Sequence, residues 1–230
     1  WANDNKTVFY NLKDLETLRT ERVMKYDLSK DGSEKEIYYE DDETFSVYSY
    51  KTKSDKFIVI GSSATLSQEY RYIDASNPNG DFILFDQRVD GLEYSISHFK
   101  NKWYILTNKD NATNFKLMVC DEKSTNKDNW KEFINHNEET LLEGIDIFDD
   151  YLVITERNNG LRRINIKPWD KSESHYIKFD EEVYSLYSST NPQMNTKKFR
   201  YNYSSMTTPN SVVEYDMVKR DTIILKETEV

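Results

Sequence analysis

The feature that most constrains this chain is a repeat. A β-type segment recurs as FIVIGSS from Phe57, KWYILTN from Lys102, YLVITER from Tyr151 and KFRYNYSS from Lys198, in steps of 45, 49 and 47 residues. Each copy sits second in a run of four short strand-like segments rich in Val, Ile, Tyr and Phe. A period in the forties with four strands per unit is the requirement of a β-propeller blade, so the fold class is all-β and the architecture a propeller. The repeat says little about chemistry, because blades of this kind carry enzymes and binding platforms alike.

The first strands are FSVYSY from Phe45, LEYSISHF from Leu92, LEGIDIF from Leu142 and VYSLYSS from Val183. Third strands follow as EYRYIDA, FKLMVCD, GLRRINI and SVVEYDM, and fourth strands as DFILFDQ, WKEFINH, SHYIKFD and TIILKET. Ahead of them KTVFYNL, ERVMKYDL and EKEIYYE match the second, third and fourth strands of a unit without its first. The expected layout is a three-stranded remnant over 1–44 and complete four-stranded antiparallel blades over 45–91, 92–140, 141–182 and 183–230, as part of a larger ring. Leu12, Leu15 and Leu18 at spacing three admit a short helix near the start, but a hairpin connection with solvated charges is the preferred reading.

The formal charge is −10, with 31 Lys+Arg against 41 Asp+Glu and no basic cluster in the sequence, which argues against a nucleic-acid partner. An acidic body serves solubility; it also attracts basic peptides over the roughly 8 Å that physiological salt leaves unscreened. No apolar run reaches the length of a membrane span, so no membrane partner is expected. Cys120 is the single cysteine, which rules out an internal disulfide, and the alternation in FKLMVCD makes it a packed strand thiol rather than a nucleophile. A cysteine-poor chain suits the cytoplasm; because it begins at Trp1 without Met, a natural N-terminus is expected upstream and the periplasm stays open as an alternative.

Chemistry-bearing motifs are scarce. None of the six glycines frames a Gly-x-Ser-x-Gly elbow, and there is no HExxH, phosphate-cradling loop or dinucleotide fingerprint. His98, His136 and His175 are widely separated on strand-like segments, where packing or surface roles outweigh metal or base roles. The acidic runs Glu40 to Glu43 and Asp146 with Asp149 and Asp150 read as solvated turns, since neither has the alternation of a calcium loop. No catalytic residue, metal ligand or cofactor is assigned.

Three stretches carry a family likeness. FRYNYSSMTTPNSVVEYDM from Phe199 to Met217, ITERNNGLRRINI from Ile154 to Ile166 and the opening WANDNKTVFYNL resemble the propeller of the oligopeptidase B, or protease II, group within the prolyl oligopeptidase family of serine peptidases. The Ser-Ser-Met-Thr-Thr-Pro run, Ser204 to Pro209, is the most specific of them. The resemblance implies a seven-bladed propeller over an α/β-hydrolase domain that supplies the Ser-Asp-His triad, with the propeller admitting short peptides that are cut after Arg or Lys. It makes this chain a gating segment without a catalytic domain of its own, partnered by that hydrolase domain and by short basic peptides.

Glu156, Arg157, Tyr203 and Ser204 close second strands beside the recognisable motifs and are the candidate contacts to substrate or to the hydrolase domain. The competing reading gives them ladder and turn hydrogen bonds inside a blade. At the level of the whole chain the alternative is a free-standing propeller that binds a protein. Exposed blade edges also lead to an expectation of self-association.

Overall fold

The computed structural model describes residues 1–29 and 33–229; residues 30–32, inside the expected 1–44 remnant, and residue 230 lie outside the described residues. The strands are β1 (Thr7–Lys13), β2 (Thr20–Asp27), β3 (Ser33–Tyr39), β4 (Ser46–Lys51), β5 (Phe57–Ser63), β6 (Gln68–Asp74), β7 (Ile83–Leu84), β8 (Tyr94–Phe99), β9 (Lys102–Thr107) and β10 (Lys116–Asp121). They continue as β11 (Lys131–Ile134), β12 (Thr140–Ile147), β13 (Tyr151–Asn158), β14 (Leu161–Pro168), β15 (His175–Tyr176), β16 (Tyr184–Ser188), β17 (Lys198–Ser205), β18 (Ser211–Asp216) and β19 (Asp221–Glu227). Hydrogen-bonded neighbours are consecutive throughout: one three-stranded sheet, β1 to β3, and four four-stranded sheets, β4 to β7, β8 to β11, β12 to β15 and β16 to β19. The chain is an all-β protein with the meander sheets of a β-propeller. Among the described residues the single helical element is the 3₁₀ turn Lys127–Asn129.

The chain divides into two compact units, residues 1–109 with 118–133, and residues 110–117 with 134–230. In the first, an aromatic core forms around Trp103, fully buried, with Phe57 at 5.0 Å, Tyr72 at 5.3 Å and Phe85 at 5.4 Å between ring centroids. Phe57, Tyr72 and Trp103 face this core from β5, β6 and β9, while Ile58 and Ile73, the next residues on β5 and β6, turn to the other face and are buried in a second cluster with Ala2 and Ala75, so the period of two leaves both faces of that sheet apolar. Trp130 joins this core and donates its indole N–H to the Thr125 carbonyl at 2.7 Å. Cys120 is buried here as well, and burial, with the charge of Asp121 beside it, pushes its thiol up to about 12. In the second unit Phe148, Ile164, Ile166, Leu186, Phe199 and Met217 form the corresponding core. Truncating a fully buried ring such as Phe199 to Ala costs about 3–5 kcal/mol at sites of this kind.

The leucine spacing near the start belongs to a hairpin. Asp14 accepts hydrogen bonds from the Thr17 and Glu16 amides at 2.7 and 3.1 Å, turning the chain between β1 and β2, and Leu15 is left 93% exposed. An Asp that captures the backbone two and three residues ahead competes with helix formation, and here the turn wins. The outer strands β7 and β15 are two residues long, shorter than DFILFDQ and SHYIKFD suggest. Phe85 and Ile177, one residue past each strand, turn their side chains into the core and still donate their amides to the Tyr70 and Ile164 carbonyls at 2.8 and 3.0 Å, the last bonds to the neighbouring strands.

Candidate functional site at the acidic loop end

Consecutive antiparallel strands give every sheet two ends. At one, first strands begin and second strands finish, which is where Glu156, Arg157, Tyr203 and Ser204 were expected to act. Loops there in the first unit, 14–19, 40–45, 64–67, 85–93 and 108–109, carry nine acidic residues against three basic ones; the described residues of the opposite loops of that unit carry five against six. The second unit, taken by itself, repeats the pattern. Its loops 110–115, 135–139, 159–160, 177–183, 206–210 and 228–229 carry seven acidic residues against one basic, and the opposite loops four against four. The net charge of the chain is therefore sorted to one end of the sheets within each unit.

In the first unit Glu40 organises this end. It is 2% exposed and accepts hydrogen bonds from Arg88 Nη2 at 2.6 Å, from the Tyr38 hydroxyl at 2.8 Å and from the Ser62 hydroxyl. Burial pushes its carboxyl up, but the Arg88 guanidinium and the Ser62 and Tyr38 hydroxyls outweigh burial and hold it below the usual carboxylate range. The reading of the whole run Glu40 to Glu43 as a solvated turn is corrected at its first residue. Glu40 is buried against a cation, the half-buried Arg88, and pairing of this kind is the condition for burying a carboxylate. Arg88 lies over the Phe45 ring at 3.6 Å. Arg19 donates to the carbonyls of Glu40 at 3.2 Å, Asp42 at 3.3 Å and Phe45 at 2.9 Å, so two arginines stitch together the loops of neighbouring sheets. Beside them opens a cavity of about 430 Å³ lined by Asp42, Thr44, Phe45, Leu66, Arg88 and Asp90.

In the second unit Glu181 takes the corresponding part with different chemistry. Its carboxylate accepts from the hydroxyls of Thr207 at 2.6 Å and Thr208 at 2.9 Å, and from those of Tyr203 and Ser205. Three of these hydroxyls, from Ser205, Thr207 and Thr208, converge on Oε1, and the Tyr203 hydroxyl takes Oε2. The Ser205, Thr207, Tyr203 and Thr208 hydroxyls hold Glu181 down to about 2. Ser205 closes the loop by accepting from the Thr207 and Thr208 amides at 3.1 and 2.9 Å. This explains why the Ser204 to Pro209 run is so rich in hydroxyls: they grip a carboxylate more than twenty residues upstream. At the tip Met206 projects, 95% exposed.

The four expected contact residues fall at this end in two separate pairs. Glu156 is 6% exposed and bonds within its own sheet, accepting from Arg163 Nη2 at 2.8 Å and from the Tyr176 hydroxyl at 2.7 Å. Arg157 donates to Glu143 at 2.7 Å and to the Gly160 carbonyl at 2.9 Å. Glu143 is also held by Arg162, whose guanidinium covers Tyr187 at 4.1 Å. Asn159 and Gly160, with φ of 49° and 81°, form the two-residue turn that brings Arg157 and Arg162 opposite one another. Tyr203 stacks on Phe179 at 5.2 Å and reaches Glu181. Ser204 pairs with Ser185 across β16 and β17. Glu40, Glu143 and Glu181 were not singled out by the sequence. Apart from Tyr38, two residues from Glu40, the side chains that hold them lie 14 to 48 residues away, beyond any local motif.

This end can present negative charge and apolar knobs to another surface, and residues 1–228 match the sequence profile described as the N-terminal β-propeller domain of prolyl oligopeptidase. The chain belongs to that family. This propeller segment is 38% identical over 215 residues to dipeptidyl aminopeptidase BI of Pseudoxanthomonas mexicana, covering 93% of this chain and 30% of the relative. Protease 2 of Moraxella lacunata is 30% identical over 212 residues, covering 92% of this chain and 30% of its own length. The structure of oligopeptidase B from Leishmania major superposes with a TM-score of 0.91 at 25% identity, covering all of this chain and 34% of that one. Oligopeptidase B from Trypanosoma brucei, with covalently bound antipain, gives a TM-score of 0.89 at 24% identity, a likeness of fold. The propeller segment thus spans about a third of the length of these relatives.

Proposed function

We propose that this chain is the substrate-gating propeller segment of a serine-type oligopeptidase of the oligopeptidase B kind, with its acidic loop end turned toward an α/β-hydrolase domain of the same polypeptide. The nucleophile, base and oxyanion donors belong to that domain. The propeller contributes access and electrostatic selection: short peptides pass and folded proteins do not, and those bearing Arg or Lys are favoured. The observation that carries this reading is the sorting of acidic residues to one loop end, found independently in each unit. A surface of one sign raises the local concentration of oppositely charged substrate and speeds its capture. A cytoplasmic setting fits the single buried thiol.

The test is kinetic, on the full protein that carries this chain. Reversing Asp42, Glu43 and Asp90 to Lys should lower kcat/KM for an Arg-containing peptide about tenfold at low salt and by less at high salt, with kcat nearly unchanged. An unchanged kcat/KM at low salt would remove the acidic end from substrate selection.

The relative named dipeptidyl aminopeptidase BI favours a second reading, in which the substrate's free amino terminus is recognised and dipeptides are released. An acidic loop end suits that ammonium as well as it suits Arg or Lys. Comparing one peptide with and without an acetylated N-terminus separates the two: an endopeptidase cuts both, and a dipeptidyl peptidase cuts only the free form.

A further inference from the structure

At the opposite end of the sheets in the first unit, three residues that are distant in sequence form a hydroxyl–imidazole–carboxylate chain. Ser54 Oγ lies 2.8 Å from His98 Nδ1, and His98 Nε2 lies 2.9 Å from Glu122 Oε2. The same Oε2 of Glu122 also accepts from Lys56 Nζ at 2.5 Å. The imidazole is 3% exposed, held between Phe57 and Trp103 with ring centroids at 4.8 and 5.0 Å. Ser54 is half-buried, on the tight turn between β4 and β5, where Asp55 donates its amide to the Thr52 carbonyl at 2.8 Å and takes a φ of 58°. The two ends of this chain of groups, Ser54 and Glu122, are partly exposed, and the imidazole between them is closed off.

The proton positions follow from the partners. An ionised carboxylate only accepts, so Nε2 of His98 carries the proton and donates it to Glu122, leaving the Nδ1 lone pair to accept from Ser54. Burial lowers the basicity of His98 and outweighs the charge of Glu122, with Lys56 lowering it further, so the ring is neutral and able to accept at pH 7. A serine hydroxyl bonded to a neutral imidazole, itself oriented by a carboxylate, is the arrangement that activates a hydroxyl toward electrophiles.

We propose that Ser54 is an activated nucleophile, a covalent acceptor site for small activated esters and phosphonofluoridates. Ser54 Oγ attacks the acyl carbon of an aryl ester; the new bond is Oγ–C, the aryl C–O bond breaks, and the Ser54 proton passes through His98 Nδ1 to the departing phenolate. With a fluorophosphonate the new bond is Oγ–P and the P–F bond breaks, fluoride leaving with the same proton. The product is an acylated or phosphonylated Ser54, one per chain. Steady turnover of ordinary peptides is not part of the proposal, since an amide is far less reactive than an aryl ester.

The experiment is labelling of the full protein that carries this chain with a fluorophosphonate probe, followed by peptide mass spectrometry, so that any other labelled serine is read separately. The expected result is a single adduct on Ser54 whose rate falls as pH drops through the lowered ionisation of His98. The rate at Ser54 should fall about a hundredfold in His98→Gln. Glu122→Gln should slow it less, and Ser54→Ala should abolish that adduct alone. His98 is buried, so His98→Gln can disturb folding; the pH dependence of the unmutated protein then decides. Absence of an adduct on Ser54, or an adduct whose rate does not fall at any acid pH at which the protein stays folded, overturns the proposal.

Discussion

Glu40 and Glu181 do the same job in the two units with opposite chemistry. Each carboxylate pins a loop of the acidic end. Glu40 does it from a buried position against the guanidinium of Arg88, whereas Glu181 does it near the surface with four neutral hydroxyls. The difference lies in what remains when one partner is lost. A buried ion pair that loses its cation leaves an uncompensated charge in a low-dielectric site, while a hydroxyl clamp loses one of several modest bonds and water replaces it. A strong single link and a distributed set of weak ones therefore hold equivalent loops, and they should fail differently.

The largest effect expected is at Arg88. Arg88→Ala removes the cation from Glu40 together with the stack on Phe45, and should lower the unfolding free energy by about 3 kcal/mol. Urea unfolding followed by the fluorescence of Trp103 and Trp130, both in that unit, measures it. A loss no larger than that of an ordinary surface substitution would erase the contrast drawn between the two carboxylates.

A smaller effect comes from pH. Both carboxyls are held below their unfolded values, so each contributes stability that is fully present above the unfolded carboxylate range and is lost as pH falls through its folded value. Glu181 stays ionised down to about pH 2. Carbon-detected NMR of the glutamate carboxyls on acidification should therefore show Glu181 still ionised at about pH 3, when carboxylates of ordinary value near 4.3 are protonated. Titration of Glu181 in the ordinary range would mean that the hydroxyls are not donating to it.

How legible this was in the sequence depends on distance along the chain. Second and third strands were readable because each lies buried in its sheet and writes a dense apolar pattern: Phe57 to Ile60 and Trp103 to Leu106 are buried without a break. The outer strands β7 and β15 are shorter than their apolar runs suggest because they pair on one side only, and Phe85 and Ile177 extend those runs by packing into the core just past the strand ends. A hairpin was readable at Asp14 because its partners are two and three residues away. The site was half readable. The Ser204 to Pro209 run stood out as a family mark, yet its physical purpose, Glu181, lies in the acidic stretch 180–182, which reads as any solvated turn. The same distance hid Ser54, His98 and Glu122, which three different segments bring together, so from its neighbours along the chain His98 reads as a packing residue unconnected to any serine.

The smallest effect, and the sharpest on mechanism, is at Glu181. Glu181→Gln keeps the shape and one acceptor oxygen but replaces the other with an amide nitrogen that donates, so it faces the hydroxyls of Tyr203 or Ser205 as a poor partner. Global stability should scarcely change, because the loop lies outside the Phe199 core. The turn from Ser205 to Thr208 should loosen locally: its amides are held by Ser205 Oγ, which is itself held by Glu181. Hydrogen exchange at the Thr207 and Thr208 amides should accelerate, and a protease that cuts at exposed Met206 should cleave faster, while the amides of β17 and β18 keep their protection. Equal acceleration in those strands would mean that Glu181 supports the whole sheet, and no acceleration would mean that the loop is held by its backbone bonds alone. Either result would break the parallel with Glu40, because a carboxylate that pins one loop must free that loop and little else when its charge is removed.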